Sequence, residues 1–425
     1  MAHAENVQLA DHLFRREAGK MAAVLTRILG SDRLEVAEDI VQDTLMKAVE
    51  TWGFKGVPEN PSAWLYAVAK NKALDFIRSR RRHEQIHSEI AKAIHSEYSL
   101  PSSVNSLFLE SEIEDSQLRM IFAACHPSIP EESQIALTLK ILGGLSMREI
   151  ASAFLTNEET IQKRIARAKE KLRDEKINLE IPSPQSLSSR IDAVLKVLYL
   201  LFNEGYHPSQ SDQSLREDLC EEAMRLTYLM IRNPATSQRK VLALMALMCL
   251  QVSRFNARTN NEKFISLEQQ DRSLWNKQLM DKGFTFLEQA SEGDDLSEYH
   301  LEAAIAAVHM KADSFAETDW DRLLTLYDIL AQLKPGPIIE LNRAIAIGYA
   351  KSYRDGLDEL KKIEGLESNH FYHAALGNFF VYLKKNDDAL KSYSDALNAA
   401  TTLADKDFLK KKIDEIKASD TLAVS

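Results

Sequence analysis

The stretch LSMREIASAFLTNEETIQKRIARAKEKLR (Leu145–Arg173) predicts two short helices joined by a tight turn. Ser146 precedes Glu149 by three positions, and Thr156 precedes Glu159 by the same interval. A hydroxyl followed three residues later by glutamate is typical of a helix start, because each side chain can bond the other's backbone amide. We therefore predict one helix from each pair, with the turn at residues 155–157 between them.

The second of these helices is amphipathic and basic. Its apolar positions recur at helical spacing: Ile161, Ile165, Ala168 and Leu172. Polar and basic side chains lie between them and are candidates for DNA contact: Thr160, Gln162, Lys163, Arg164, Arg167 and Lys169. Two short helices with a basic second member are typical of a helix-turn-helix, whose second helix enters the major groove. Short helical pairs also occur in proteins without any role in DNA binding, so the pattern alone does not exclude a purely structural helix pair.

A second basic cluster lies upstream, where Lys70–Arg82 carries six basic residues against one acid. It ends a predicted helix that begins at Asn60-Pro61, since asparagine caps helices well and proline suits the first helical position. Aromatic and basic side chains on one helix suit contact with phosphates and stacked bases. A solvated basic helix end is the plain alternative, because cations are favoured there.

The helix before that one has a polar face. Four side chains lie three or four residues apart along it, and they are Asp39, Gln42, Asp43 and Met46. Residues at that spacing share one side of a helix. Spacing alone would make this a solvated face.

The whole chain reads as a helical, globular protein. It has 425 residues with only 14 glycines and 11 prolines, and 27% of its residues are charged. The net charge of −10 is an average over the chain: basic clusters lie in the first 180 or so residues (the front part), and the residues that follow (the rear part) are acidic. Three widely spaced cysteines give no metal or disulfide pattern, and the polar start lacks an apolar leader. We expect an all-α, cytoplasmic protein without membrane contact or cofactor.

Two linkers divide the predicted chain into three domains. The segment IPSPQSLSS (Ile181–Ser189) is the clearer linker, and YSLPSSVN (Tyr98–Asn105) is the weaker one. We predict a front domain over residues 1–95, a helix-turn-helix domain over 112–178, and a larger helical-repeat-like domain over 186–420.

Three stretches together resemble the extracytoplasmic-function group of bacterial sigma factors. They are AEDIVQDTLMKAVETW (Ala37–Trp52), PSAWLYAVAKNKALDFIRSRRR (Pro61–Arg82) and the stretch over Leu145–Arg173. The resemblance implies a subunit that binds core RNA polymerase and promoter DNA. One departure is the turn, where Leu155-Thr156-Asn157 replaces the glycine of many relatives.

The resemblance assigns roles to the candidate residues. It implies that Asp39, Gln42, Asp43 and Met46 dock on core polymerase, and that the second helix of the pair reads the −35 element. The helix from Pro61 would open and read the −10 element. Candidates there are Trp64, Lys70, Asn71, Asp75, Arg78, Arg80 and Arg81.

Five stretches of the rear part resemble the extension of one long subgroup of these sigma factors: FNEGY (Phe202–Tyr206), LEQQDRSLW (Leu267–Trp275), AAIAAVH (Ala303–His309), TDWDRLLTLYD (Thr318–Asp328) and PGPIIELNRAIA (Pro335–Ala346). Near the end of the rear part, tetratricopeptide-like positions appear at Leu376, Gly377, Phe380, Ala389, Tyr393 and Ala396. A weaker copy lies upstream at Ala344, Gly356 and Leu360. We expect helix ends in the rear part to be held together by a buried polar network of Asn203, Glu204, Asp271, Arg272 and Trp275.

The rear part shows no phosphate loop, metal-binding histidine pair or nucleophile elbow, so we do not expect an enzyme. The resemblance implies that the extension modulates activity, and stacked helix pairs leave room for a protein or small-molecule regulator. The rival function is a stand-alone helix-turn-helix regulator with a helical-repeat sensor domain. The front domain argues against that rival, because such a regulator has no need of it.

Overall fold

The computed structural model describes residues 2–81, 104–154, 156–206, 216–260 and 263–424, and it confirms the all-α prediction. Within these residues the chain divides into two compact units. The first comprises residues 1–201 with 221–232, and the second comprises 202–220 with 233–425. No helix among the described residues has the length and apolarity needed to cross a bilayer.

The helices up to residue 232 are these: α1 Ala2–Leu29, α2 Leu34–Lys55, α3 Pro61–Arg81, α4 Glu110–Ala124, α5 Glu131–Ile141, α6 Met147–Ala153, α7 Glu158–Asp174, α8 Pro184–Tyr206 and α9 Glu217–Arg232. A 3-10 turn covers Ser31–Arg33. Helices α8 and α9 each contribute residues to both units.

The remaining helices all belong to the second unit: α10 Arg239–Val252, α11 Phe255–Arg258, α12 Lys277–Ala290, α13 Glu298–Lys311, α14 Trp320–Leu333, α15 Pro337–Ala350, α16 Tyr353–Leu360, α17 His370–Tyr382, α18 Asn386–Ala399 and α19 Leu403–Val424. Two short 3-10 turns cover Leu267–Gln269 and Arg272–Leu274. Strands β1 (Thr259–Asn260) and β2 (Lys263–Phe264) pair antiparallel.

Helices α1 and α3 have well-defined ends. Helix α1 stops at Gly30, whose φ of 101° favours glycine. Its buried stripe includes Met21, Leu25 and Ile28. Helix α3 starts as predicted, with the Asn60 side chain accepting a 3.0 Å hydrogen bond from the Ala63 amide.

The predicted linker over residues 181–189 is shorter than the sequence suggested. Helix α8 begins at Pro184, inside the predicted linker over 181–189, because proline fits the first helical turn and the serines that follow tolerate a helix. Residues 98–103 of the other linker lie outside the described part of the chain. Val104 follows them as a buried helical residue. Residues 221–232 of α9 belong to the first unit, and the bounds of the three predicted domains stay a prediction.

The repeat pattern of the rear part corresponds to real helix pairs. A Cβ on Gly377 of α17 would lie 3.0 Å from the Tyr393 ring of α18, so the glycine permits close packing. Ala389, Tyr393 and Ala396 are buried there. In the upstream pair, a Cβ on Gly356 would lie 2.6 Å from Cα of Gly348. The sequence prediction did not include Gly348.

Of the predicted network, Arg272 contacts one helix end, whereas Asp271 is exposed and the buried Trp275 Nε1 has no hydrogen-bond partner among the described residues. The Arg272 guanidinium donates hydrogen bonds to the carbonyl oxygens of His309 and Ala312, at 2.7 and 2.6 Å. These acceptors lie at the C-terminal end of α13, where carbonyls lack helical partners. The same guanidinium lies 4.6 Å from the centre of the Trp275 ring. The three cysteines, Cys125, Cys220 and Cys249, are free and buried.

Candidate nucleic-acid interface

The helix-turn-helix of the first unit is formed by α6 and α7. The capping box at the start of α6 is confirmed, with the Ser146 amide 2.7 Å from Glu149 Oε2 and the Glu149 amide 3.1 Å from Ser146 Oγ. The second predicted capping box is wrong. Asn157 caps α7 instead, accepting a 2.8 Å hydrogen bond from the Thr160 amide.

The physical reason for that correction lies in the turn. The Thr156 amide bonds to the Ala151 carbonyl at 3.0 Å, so Thr156 closes the first helix rather than opening the second. The next residue, Asn157, then has the extended backbone of a cap, and its short carboxamide reaches the free amide. Leu155, which we also assigned to the turn, lies outside the described residues.

Helix α7 presents one polar face to solvent. Its predicted apolar stripe is confirmed, since Ile161, Ile165, Ala168 and Leu172 are all buried. Gln162, Lys163 and Arg167 are exposed, whereas Thr160, Arg164 and Lys169 are half-buried. Their roles at the −35 element stay predictions.

Most cations of α7 have acidic partners. Lys163 pairs with Glu159 at 2.6 Å, Arg164 with Glu132 at 2.5 Å, and Lys169 with Glu38 at 2.5 Å. The last turn adds pairs from Lys171 to Glu175 and from Arg173 to Asp174. Arg167 has no ion pair among the described residues. Its guanidinium is therefore open to an external anion.

Helix α2 presents the face assigned to polymerase docking. Asp39, Gln42, Asp43 and Met46 are all exposed, and 62% of Met46 is accessible to solvent. Beyond them the exposed apolar side chains continue with Val49, Phe54 and Val57. The sequence analysis did not include these three, although an isolated phenylalanine near a glycine at a helix end could have signalled them. Docking by this face stays a prediction.

Helix α3 aligns several of the −10 candidates. Asn71, Asp75 and Arg78 are exposed at spacings of four and three residues, and Lys70 is half-buried. Arg78 lies 3.9 Å from Asp75. Arg80 and Arg81 belong to the last turn of α3, but their side chains lie outside the described part of the structure.

Trp64 has a packing partner that the sequence did not reveal. Its ring meets Trp52 edge-on at 5.5 Å between centroids, and Trp52 in turn lies 5.3 Å from Phe14. The half-buried Trp64 therefore helps to fix α3 on α2, and its stacking on bases stays a prediction.

The helices of the front and of the helix-turn-helix pack directly on each other. A Cβ on Gly19 of α1 would lie 2.4 Å from the Leu142 carbonyl oxygen, so only glycine fits there without a shift. Arg15 lies 2.9 Å from Glu149. Together with the pair between Lys169 and Glu38, these contacts join the two predicted DNA-binding modules within the first unit.

Comparison with known proteins identifies three matched segments. The family model for Sigma-70 region 2 matches residues 13–83, and that for Sigma-70 region 4 matches residues 119–172. Residues 190–291 match a family of unknown function (DUF6596). The two sigma matches cover α1 to α3 and α4 to α7 respectively.

Relatives fall into two kinds. An uncharacterized protein of Rhizobium meliloti (strain 1021) is 32% identical over 390 residues, which are 91% of each chain. The ECF RNA polymerase sigma-E factor of Haemophilus influenzae is 30% identical over 177 residues, covering 39% of this chain and 89% of that one. The corresponding factor of Escherichia coli (strain K12) is 29% identical over 175 residues, covering 39% and 88%.

No solved structure matches the chain significantly. The match to each sigma-E relative covers 39% of this chain, whereas the match to the Rhizobium relative covers 91% of it. The chain therefore belongs to the extracytoplasmic-function group of sigma-70 factors, and it carries a helical C-terminal extension behind the two sigma regions.

Proposed function

We propose that this sigma factor binds core RNA polymerase through the exposed face of α2 and directs it to promoters through α3 and α7. The observation that supports the proposal is the exposure of four side chains on one face of α2. Asp39, Gln42, Asp43 and Met46 are exposed together on a helix whose other side is buried. Exposed apolar side chains beside acidic ones suit a protein partner, because apolar surface next to polar groups marks protein interfaces.

In this proposal α7 lies in the major groove at the −35 element. The residues of a recognition helix that face the groove reach base edges, and its other cations hold phosphates. Gln162 and Arg167 suit base contact, since glutamine pairs with adenine and arginine with guanine. Lys163 can exchange Glu159 for a phosphate at little cost, because exposed ion pairs contribute only about 0.2–1 kcal/mol.

Helix α3 would hold the opened strand of the −10 element. Asn71 and Arg78 are exposed on one side of the helix, so an unpaired base and its phosphate can be contacted together. Asp43 of α2 bonds Lys72 of α3 at 2.8 Å, which connects the proposed docking face to this helix. Polymerase binding and strand capture would then use adjacent surfaces of one unit.

The proposed role of the C-terminal extension is to modulate activity in cis, without catalysis of its own. Support comes from the way in which the chain divides into two units, because the first unit includes a segment that follows both sigma regions. Residues 221–232 of α9 belong to the first unit, with Arg225 bonding Gln117 at 3.0 Å and Arg232 bonding Glu114 at 2.7 Å. The chain that leads into the extension is thus part of the unit that carries both sigma regions.

Run-off transcription with purified core polymerase tests the proposed function. We expect a promoter-dependent transcript only when both the full chain and core polymerase are present. Core polymerase alone is the control. A chain that binds promoter DNA but gives no transcript with core would contradict the proposal and favour the stand-alone regulator.

A chain ending at Arg232 tests modulation by the extension. This truncation keeps every residue of the first unit, whereas an end at residue 180 would remove α8 and α9 from it. We expect the yield of promoter-dependent transcript to differ from that of the full chain by at least about threefold, which corresponds to about 0.6 kcal/mol. Circular dichroism would first verify that the truncated chain is folded. Equal yields would contradict modulation.

A further inference from the structure

A pocket of about 280 Å³ lies within the second unit. Five elements build it: the 3-10 turn at residues 267–269 and the helices α13, α14, α15 and α17. Its walls are aromatic, and its polar groups are few. The side chains on which its chemistry depends are Glu268, His309, Trp320, Tyr349 and Asn378. The volume suits one small molecule.

The aromatic wall is rigid. Trp320 of α14 stacks on Tyr349 of α15, with 4.3 Å between centroids and 17° between planes. Phe315 meets both rings edge-on, at 5.2 and 5.5 Å. The Tyr349 hydroxyl accepts a 3.1 Å hydrogen bond from the Asn378 amide. These contacts hold the ring faces in place before any ligand arrives.

The charge of the pocket is negative. Glu268 is the only charged side chain among the described residues that line it, and no described cation forms an ion pair with it. Burial raises the pKa of Tyr349, and the nearby Tyr382 and then the Glu268 carboxylate raise it further. The Glu268 side chain itself is exposed.

His309 supplies a neutral polar group. Burial lowers the pKa of this imidazole to about 4, and Arg254 and Arg272 add to the effect, so the ring is uncharged at neutral pH. Its Nδ1 is buried and has no hydrogen-bond partner. The two arginines do not line the pocket, and Arg272 is engaged by the carbonyls at the end of α13.

We propose that this pocket binds a small organic cation, an ammonium compound held between the aromatic wall and the Glu268 carboxylate. Aromatic faces attract cations through the ring quadrupole, and a carboxylate without a partner adds a direct charge. An anionic ligand would be repelled by Glu268. A purely apolar ligand would leave the buried Nδ1 of His309 without a partner.

Calorimetric titration of the full chain with choline tests the proposal, because choline has a matched uncharged isostere, 3,3-dimethyl-1-butanol. We expect choline to bind and the isostere to bind at least about tenfold more weakly. Glu268→Gln should weaken choline binding by about tenfold while keeping the fold, since the side chain is exposed. The matched control is Glu288→Gln, an exposed glutamate of α12 away from the pocket, which should change nothing.

A second variant, Trp320→Leu, removes the aromatic face and should abolish choline binding, with helicity measured to verify folding. Equal binding of choline and the isostere, or an unchanged affinity in Glu268→Gln, would overturn the proposal. So would failure of choline to bind at all, or binding only of a lysine-containing peptide. No polymerase is used in these measurements, so a negative result leaves the proposed promoter function untouched.

Discussion

Replacement of Met46 by aspartate is expected to weaken binding to core RNA polymerase by at least about a hundredfold. Met46 is 62% exposed in the middle of the proposed docking face, so its removal takes nothing from the core of the first unit. In a complex the new carboxylate would be buried without a partner, which costs several kcal/mol. The few residues that dominate an interface lie near its centre, and each costs about 2 kcal/mol or more when truncated, or about thirtyfold in affinity.

The control for this variant is Leu109→Asp. Leu109 is 59% exposed and precedes α4, where an aspartate is favoured as a helix cap, so both variants place a new carboxylate at an exposed apolar position of the first unit. Equilibrium titration with fluorescently labelled core polymerase would compare them. Unchanged binding by Met46→Asp, or equal losses in both variants, would show that α2 is not the docking face.

The front helices could be predicted because their determinants are local. Asn60 and Pro61 start α3, Gly30 ends α1, and the apolar stripe of α7 has helical spacing. The predicted cap of α7, Thr156, was wrong because the sequence offers two acceptable capping residues, Thr156 and Asn157. Only the bond between the Thr156 amide and the Ala151 carbonyl decides between them, and that bond depends on how α6 ends.

Contacts between distant segments could not be predicted. Nothing near Lys169 in the sequence indicates that its partner is Glu38, because an ion pair across two helices depends on how those helices pack. The same holds for Gly19, whose need for glycine comes from the carbonyl of Leu142. The resemblance named the surfaces of each sigma region separately, and the structure adds that the regions are in contact.

The pocket of the second unit also consists of contacts between distant segments, and it could not be predicted from the sequence. Neither Glu268 nor His309 belongs to a motif with a known spacing, so no prediction from the sequence assigned them to a site. Trp320 and Tyr349 meet only because α14 and α15 pack against each other, and the turn at residues 267–269 then adds the carboxylate. Chemistry assembled from separate helices leaves no periodic signal in any one of them.

Arg167→Ala is expected to weaken binding to the cognate −35 duplex by about five- to a hundredfold, which corresponds to about 1–3 kcal/mol for one base contact. The reason is its position among the cations of α7. Arg167 is exposed and has no ion pair among the described residues, so no acidic neighbour must be displaced when it meets DNA. Its distance from the start of the helix still allows a long side chain to reach a base edge.

Lys171→Ala is the matched control, since Lys171 lies four residues further along the same exposed helix and pairs with Glu175 at 3.1 Å. It should lose less than about threefold, because a paired lysine at the helix end gives at most one phosphate contact. Fluorescence anisotropy at several salt concentrations separates the two kinds of contact. Removing a base contact weakens binding to the cognate duplex only. Removing a phosphate contact weakens binding to every duplex equally and lowers its salt dependence. Equal losses of affinity for both variants, on cognate and non-cognate duplexes alike, would show that Arg167 contacts only the phosphate backbone of DNA and does not read the sequence.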